Sequence, residues 1–316
     1  MMTLNSVLRL ILVLALGAPF ALGFQQTASA PWEGIPGVVA KSETVQLVKE
    51  GFNFTEGPVG TADGGLYFSD ITNSNRTYRM DPKGEITVYR DQTGGGNGLA
   101  VNKAGELFTV EGESKRVTKF AGGKVTVLTE GSAGKPLMAP NDIFLDAKGG
   151  VYFTDPGPRP AVVGRTVYIY YLPPGAKNPV VVDDTFLRPN GIILSVNGKT
   201  LYVNDAVNDS IMAWDVQPDG TAKNRRTFAR LRDIPTGQNS GGDGIAVDRE
   251  DRLYVTALTG VQVFDKTGKY LGNIPVPRQP SNLAFSGSDR RILYITAREG
   301  LYRLKTLAQG PDRPGK

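Results

Sequence analysis

Residues 140–156 read PNDIFLDAKGGVYFTDP. Two short apolar runs, IFL and VYF, flank a turn made of Asp146, Ala147, Lys148, Gly149 and Gly150. Such runs, bounded by turn residues, predict two short strands. Asn141 opens the first run, and Tyr152 stands eleven residues later in the second. The same unit recurs along the chain. Its second strands read LYFSD (66–70), LFTVE (107–111), VYFTD (151–155), LYVND (201–205), LYVTA (253–257) and LYITA (293–297). Their aromatics, from Tyr67 to Tyr294, are separated by 41, 44, 50, 52 and 40 residues.

Around VYFTD two further strand-like runs follow, TVYIYYL and PVVVDD, so each unit holds about four strands. No amphipathic helical period interrupts them. Six four-stranded units of this length predict an all-β, six-bladed β-propeller. A pair of β-sandwiches would not produce six equal units. The last unit has only three strands, near 282–285, 293–296 and 301–304, whereas TVQLVK (44–49) precedes the first unit and belongs to none. An N-terminal strand joining the last blade would balance the count and cover an open sheet edge. Residues 31–316 are therefore expected to form one propeller domain.

Counting back from the aromatics, the units open with Glu56, Asn97, Asn141, Asn190, Asp243 and Asn282, at offsets of 11, 11, 11, 12, 11 and 12. Five openers are followed by Gly or Asp; the sixth is followed by Leu283. Rotational symmetry would bring these polar side chains to one mouth of a central channel. Asn and Asp also start strands for purely conformational reasons. Six at near-constant offset, two of them acidic, point instead to a site. Carboxylates gathered on an axis repel unless a cation neutralises them. Oxygen ligands favour Ca²⁺, then Mg²⁺ or Mn²⁺. Zn²⁺ ranks last because the chain has no His and no Cys.

The missing His and Cys also exclude Ser-His-Asp and Cys-His catalysis and disulfides. Gly94-Gly95-Gly96 precedes a strand rather than a helix, so it is not a phosphate loop. A second set of acids, Asp70, Glu111, Asp155 and Asp205, follows the aromatics by three residues. Capping of loop amides is the plain reading of this set. Asp155, in DPGPRP, is the member expected to line the pocket and touch substrate.

The N-terminal 30 residues carry one charge, Arg9, then an apolar run from Leu10 to Leu22 and a small-residue triplet, Ala28-Ser29-Ala30. They predict a cleaved signal peptide and an exported protein, periplasmic or secreted, with no membrane association after cleavage. Without Arg9 the charge is 35 basic against 31 acidic residues, or +4. With no dense basic cluster, nucleic-acid binding is not expected.

FTEGPV with LYFSD, PNDIFLDAKGGVYFTDP, RPNGIILS with LYVND, GGDGIAVD with LYVT, and VFDKTGKYLGNIPVPRQPSNLAFSGSDRRILYITA together resemble the SMP-30/gluconolactonase family. The resemblance covers nearly the whole chain after the signal segment. It implies a six-bladed propeller holding one divalent cation, usually Ca²⁺, and hydrolysis of sugar lactones. It implies metal contacts from Glu56, Asn190 and Asp243, and a metal or substrate contact from Asn141. Either Asp243 or activation of the water by the metal itself would supply the base, and Asn97 and Asn141 would orient a small lactone. Two positions depart from the family pattern: Ala139 stands where the animal branch has Arg, and Gly112 where many bacterial members have His. A phosphotriesterase and a non-catalytic ligand-binding propeller are the alternatives. The lactone and the oligomeric state are not legible.

Overall fold

Six four-stranded antiparallel sheets follow one another along the chain in the computed structural model, which describes residues 32–132, 134–160 and 164–313. The expected signal segment, residues 1–30, lies outside the described residues. The sheets all belong to one compact unit, Glu33–Lys316, distinct from Met1–Trp32.

In the first five sheets the strands lie in sequence order from the axis outward. The innermost are Thr55–Gly60, Gly96–Val101, Ile143–Leu145, Pro189–Leu194, Ile245–Val247 and Asn282–Ser286. Each touches the next, and the sixth touches the first, which closes a six-bladed β-propeller. The sixth sheet takes its outer strand from the N-terminal side: Gln46–Glu50 pairs antiparallel with Gly300–Lys305. The chain thus closes its own ring, and the N-terminal strand covers the outer edge of Gly300–Lys305.

The core lies between blades. Alternate residues of the inner and second strands face the neighbouring sheet, as period-2 patterning requires. The largest cluster joins Phe144 and Tyr152 of blade 3 with Ile192, Leu201 and Trp214 of blade 4 and Ile245 of blade 5. Each such side chain, when fully buried, stabilises the fold by about 1.5–3 kcal/mol. At the far ends of the inner strands, Gly310 packs on Phe285 of blade 6. Arg313 lies 4.8 Å over Phe144 and donates to the Leu194 carbonyl at 2.5 Å and to that of Ser195.

A belt of hydrogen bonds ties the near ends of the inner strands together. Ser69 Oγ donates to the Asn97 carbonyl at 2.7 Å, and Gly98 N to that of Asn141 at 2.9 Å. Thr154 Oγ1 reaches the Asn190 carbonyl at 2.8 Å, and Asn204 Nδ2 that of Asp243 at 2.6 Å. Gly244 N donates to Ser281 O at 2.8 Å, and Ser281 Oγ closes the circle on Thr55 O at 2.7 Å. The donors Ser69, Thr154 and Asn204 share one place in the repeat, the residue before each second-strand acid. The belt therefore fixes the backbone of the unit openers.

Candidate functional site

Five of the six openers line a single cavity of about 580 Å³ at this end of the propeller: Glu56, Asn97, Asn141, Asn190 and Asp243. The reason is visible in the strand register. Pairing between first and second strands slips just after Glu56, between Gly96 and Leu99, and between Pro189 and Ile192. In blades 3 and 5 the ladder starts only at Ile143 and Ile245, two residues beyond the openers. Bulges of this kind re-aim a side chain out of the alternation of the strand. Asn282 is the exception. It pairs regularly with Thr296 and does not line the cavity. It donates instead through Nδ2 to Glu56 Oε2 at 3.2 Å, and Gly57 N donates to the same oxygen at 2.9 Å. The sixth opener thus holds the first.

The glycine after an opener is dictated by crowding at the axis. Gly57 has φ +49°, and a Cβ there would collide with the Asn97 carbonyl oxygen. A Cβ on Gly191 would collide with the Asp243 carbonyl. Both positions need backbone in van der Waals contact with the next blade, which only glycine permits.

Glu56 and Asn190 are buried, with 3% and 2% of their surface exposed. Asn190 Oδ1 is enclosed yet has no hydrogen-bond partner among the described residues. A buried amide oxygen in that state costs about 1–3 kcal/mol unless something else engages it. Among the described residues, no group of three or more His, Cys, Asp or Glu side chains is placed to hold a metal. Any cation here would rest on two carboxylates and on amide oxygens.

Asp155 does not line the cavity, which corrects the expectation that it contacts substrate. Its two oxygens accept from Met138 N at 2.9 Å and Ala139 N at 2.8 Å, fixing the loop that leads into Asn141. Burial pushes its carboxyl above the usual carboxylate range, although the hydrogen bonds from Ala139, Met138 and Gly157 pull the other way. The remaining acids of that set behave alike. Asp70 accepts from Asn53 N and Phe54 N at 3.0 and 2.8 Å. Asp205 accepts from Leu187 N and Val207 N at 3.0 and 2.9 Å. Glu111 binds Arg116 at 2.6 Å, Thr118 at 2.9 Å and Arg90 at 3.3 Å.

The cavity wall was not read from the sequence, although part of it has a signal. The residue four after each repeat aromatic is Ile71, Gly112, Pro156, Ala206, Leu258 or Arg298. Four of these line the cavity: Ile71, Ala206, Leu258 and Arg298. The rest of the rim, including Arg159, Gln238, Asn239 and Gln279, comes from loops between the strands.

Comparison with known proteins agrees with the architecture. Residues 54–299 match the sequence pattern of the SMP-30/Gluconolactonase/LRE-like region. A gluconolactonase of Zymomonas mobilis is 25% identical over 297 residues, covering 85% of this chain and 83% of that protein. A solved structure of a gluconolactonase from Xanthomonas campestris is 30% identical, with a TM-score of 0.73 over 84% of this chain and 89% of that one. A calcium-binding regucalcin of Agrobacterium tumefaciens shares the fold at 21% identity, with a TM-score of 0.74 over 86% of this chain and 97% of that one. Matched by one pattern from the loop before Glu56 to the residue after Arg298, the chain belongs to the SMP-30/gluconolactonase/LRE-like family.

Proposed function

We propose that the chain hydrolyses a lactone, with the ring carbonyl at the floor of the cavity formed by Glu56, Asn97, Asn141, Asn190 and Asp243. One observation carries this reading. Symmetry-related openers converge on one cavity, and their donor set includes a buried Asn190 oxygen with no hydrogen-bond partner among the described residues. Homology to lactonases supports it.

The residues present fit a hard divalent cation such as Ca²⁺, since every donor is a carboxylate or amide oxygen. Glu56, Asn190 and Asp243 would hold it, with Asn141 as a further contact. When bound, it would supply Lewis-acid polarisation of the carbonyl. In this proposal Asp243 accepts a proton from the attacking water. Asn97 and Asn141 donate through their amides to the substrate and orient it. The wall from Ile71, Ala206 and Leu258 keeps bulk water from the reacting carbonyl, which strengthens every polar contact inside. Glu56 keeps its orientation through Asn282 and Gly57 N. Export is part of the proposal and rests on the signal-like composition of residues 1–30 alone.

The test is acid release from a panel of lactones, with and without chelator and with single divalent cations restored. Hydrolysis that chelation abolishes and Ca²⁺ restores is the expected result. Calcium binding and thermal stabilisation without turnover of any lactone would make the chain a binding module and end the proposal.

A further inference from the structure

Two guanidiniums, Arg159 and Arg298, line the cavity whose floor carries Glu56 and Asp243. Arg298 lies 5.4 Å over the Phe54 ring and donates to Gln279 Oε1. Arg159 follows Pro158 in a loop that a third arginine braces. Arg188 donates to the carbonyls of Gly157 at 3.2 Å and Pro158 at 3.3 Å. Burial first, and then the nearby Arg159 charge, hold the Arg188 guanidinium down at about 10. Among the described residues none of these three arginines takes part in an ion pair.

The fold treats arginine differently elsewhere. Arg90 and Arg116 are paired to Glu111, Arg252 to Asp248, and Arg226 to Asp215. At the cavity wall the fold instead sets two cations beside an apolar surface of Ile71, Ala206 and Leu258, with a third cation bracing the Arg159 loop. A concave wall of low polarisability concentrates the field of such charges. Guanidinium is also the side chain that recognises carboxylate and phosphate in a fixed, two-pronged geometry. On the lactonase reading the two floor carboxylates are committed to the cation that Glu56 and Asp243 would hold, so the unpaired positive charge of the wall is that of Arg159 and Arg298, away from the floor. A ligand with one anionic end therefore has a single favourable orientation, with its charge at the rim.

Resting on the lactonase reading, we infer that the substrate is a lactone bearing a carboxylate or phosphate remote from the ring carbonyl, held by Arg159 and Arg298. Arg188 acts as a positioning residue for the Arg159 loop. The charge sets orientation: the anion at the rim places the lactone ring toward Asp243.

The experiment compares kcat/KM of the full chain, at low ionic strength, on D-glucono-1,5-lactone, on its 6-phosphate, and on a glucarolactone with a carboxylate at C6. The two anionic probes separate phosphate from carboxylate recognition. The wild type should prefer at least one anionic lactone about tenfold, and Arg159→Met or Arg298→Met should each lower that ratio severalfold. Arg159→Lys keeps the charge but loses the two-pronged geometry, so it should retain only part of the ratio, and salt should erode it. A wild-type ratio near one, or a ratio that both Met variants leave unchanged, overturns the inference. If no lactone is hydrolysed, calorimetric titration with 6-phosphogluconate and with glucarate decides. Binding that the Met variants lose sustains the anion site while the lactonase reading fails. No binding overturns the inference itself.

Discussion

Two sets of side chains recur through the propeller at constant offsets from the same aromatics. They share chemistry and periodicity, and the fold uses them in opposite ways. The openers, from Glu56 to Asp243, sit where the ladder is bulged or has not begun, and they reach the cavity. The acids Asp70, Glu111, Asp155 and Asp205 end regular second strands, and their oxygens are engaged by backbone N–H groups or by arginines. One set is spent on shape; the other is the set to which the proposed hydrolysis is assigned. A carboxylate at a repeated position is thus no sign of a site in itself. The register around it decides.

The sharpest way to break this division is to exchange charge for amide in each set. Asp243→Asn should lower kcat on a hydrolysed lactone by about 10²–10⁴-fold, the range for loss of a positioned proton acceptor. Its melting temperature should stay within a few degrees of wild type. Steady-state kinetics beside a thermal melt checks both. Near-wild-type turnover would move Asp243 out of the chemistry and into the class of capping acids.

Glu111→Ala should do the reverse. Its side chain is wholly buried between Arg90, itself only 6% exposed, and Arg116. Removing one partner of a buried pair leaves the other charge uncompensated, at about 3–5 kcal/mol. The urea midpoint should fall accordingly, while kcat per folded molecule should change less than tenfold. A collapse of turnover with an unchanged midpoint would place this acid in the site and erase the distinction between the sets.

The sequence showed the fold well because rotation about an axis is written as a period. Tyr152, Tyr202 and Tyr254 recur since each fills the same inter-blade space, and TVQLVK was legible as the missing outer strand. The openers were legible for the same reason. What escaped depends on register and on loops. Asn282 has the right residue type at the right offset, and only its neighbour Leu283, in place of Gly or Asp, signals that its strand runs regularly. Asp155 was misplaced because its Gly- and Pro-rich surroundings look like a pocket edge; the N–H groups of Met138 and Ala139 that occupy it lie on a preceding loop. Arg159, Gln238 and Gln279 sit in loops of unequal length, which a repeat count cannot index. Arg298 could have been found at the fourth residue after its aromatic, a position that is apolar or Gly in the other five blades.

The smallest expected effect tests the division through pH. Asp155 is buried, and burial outweighs its hydrogen bonds, so its carboxyl titrates above the ordinary aspartate range in the folded chain. The folded state then binds more protons than the unfolded state between the two values. Stability from this group is fully present below the unfolded value, about 3.9, and is lost as pH rises through the folded one. Asp155→Asn removes the titration. Urea midpoints of wild type and variant, measured from pH 3.5 upward, should therefore show the wild type losing ground to the variant as pH increases. If the wild type instead gains on it, the amides of Met138, Ala139 and Gly157 hold the carboxylate more strongly than burial opposes it. Asp155 would then be a purely favourable cap, and its contrast with the cavity carboxylates would widen.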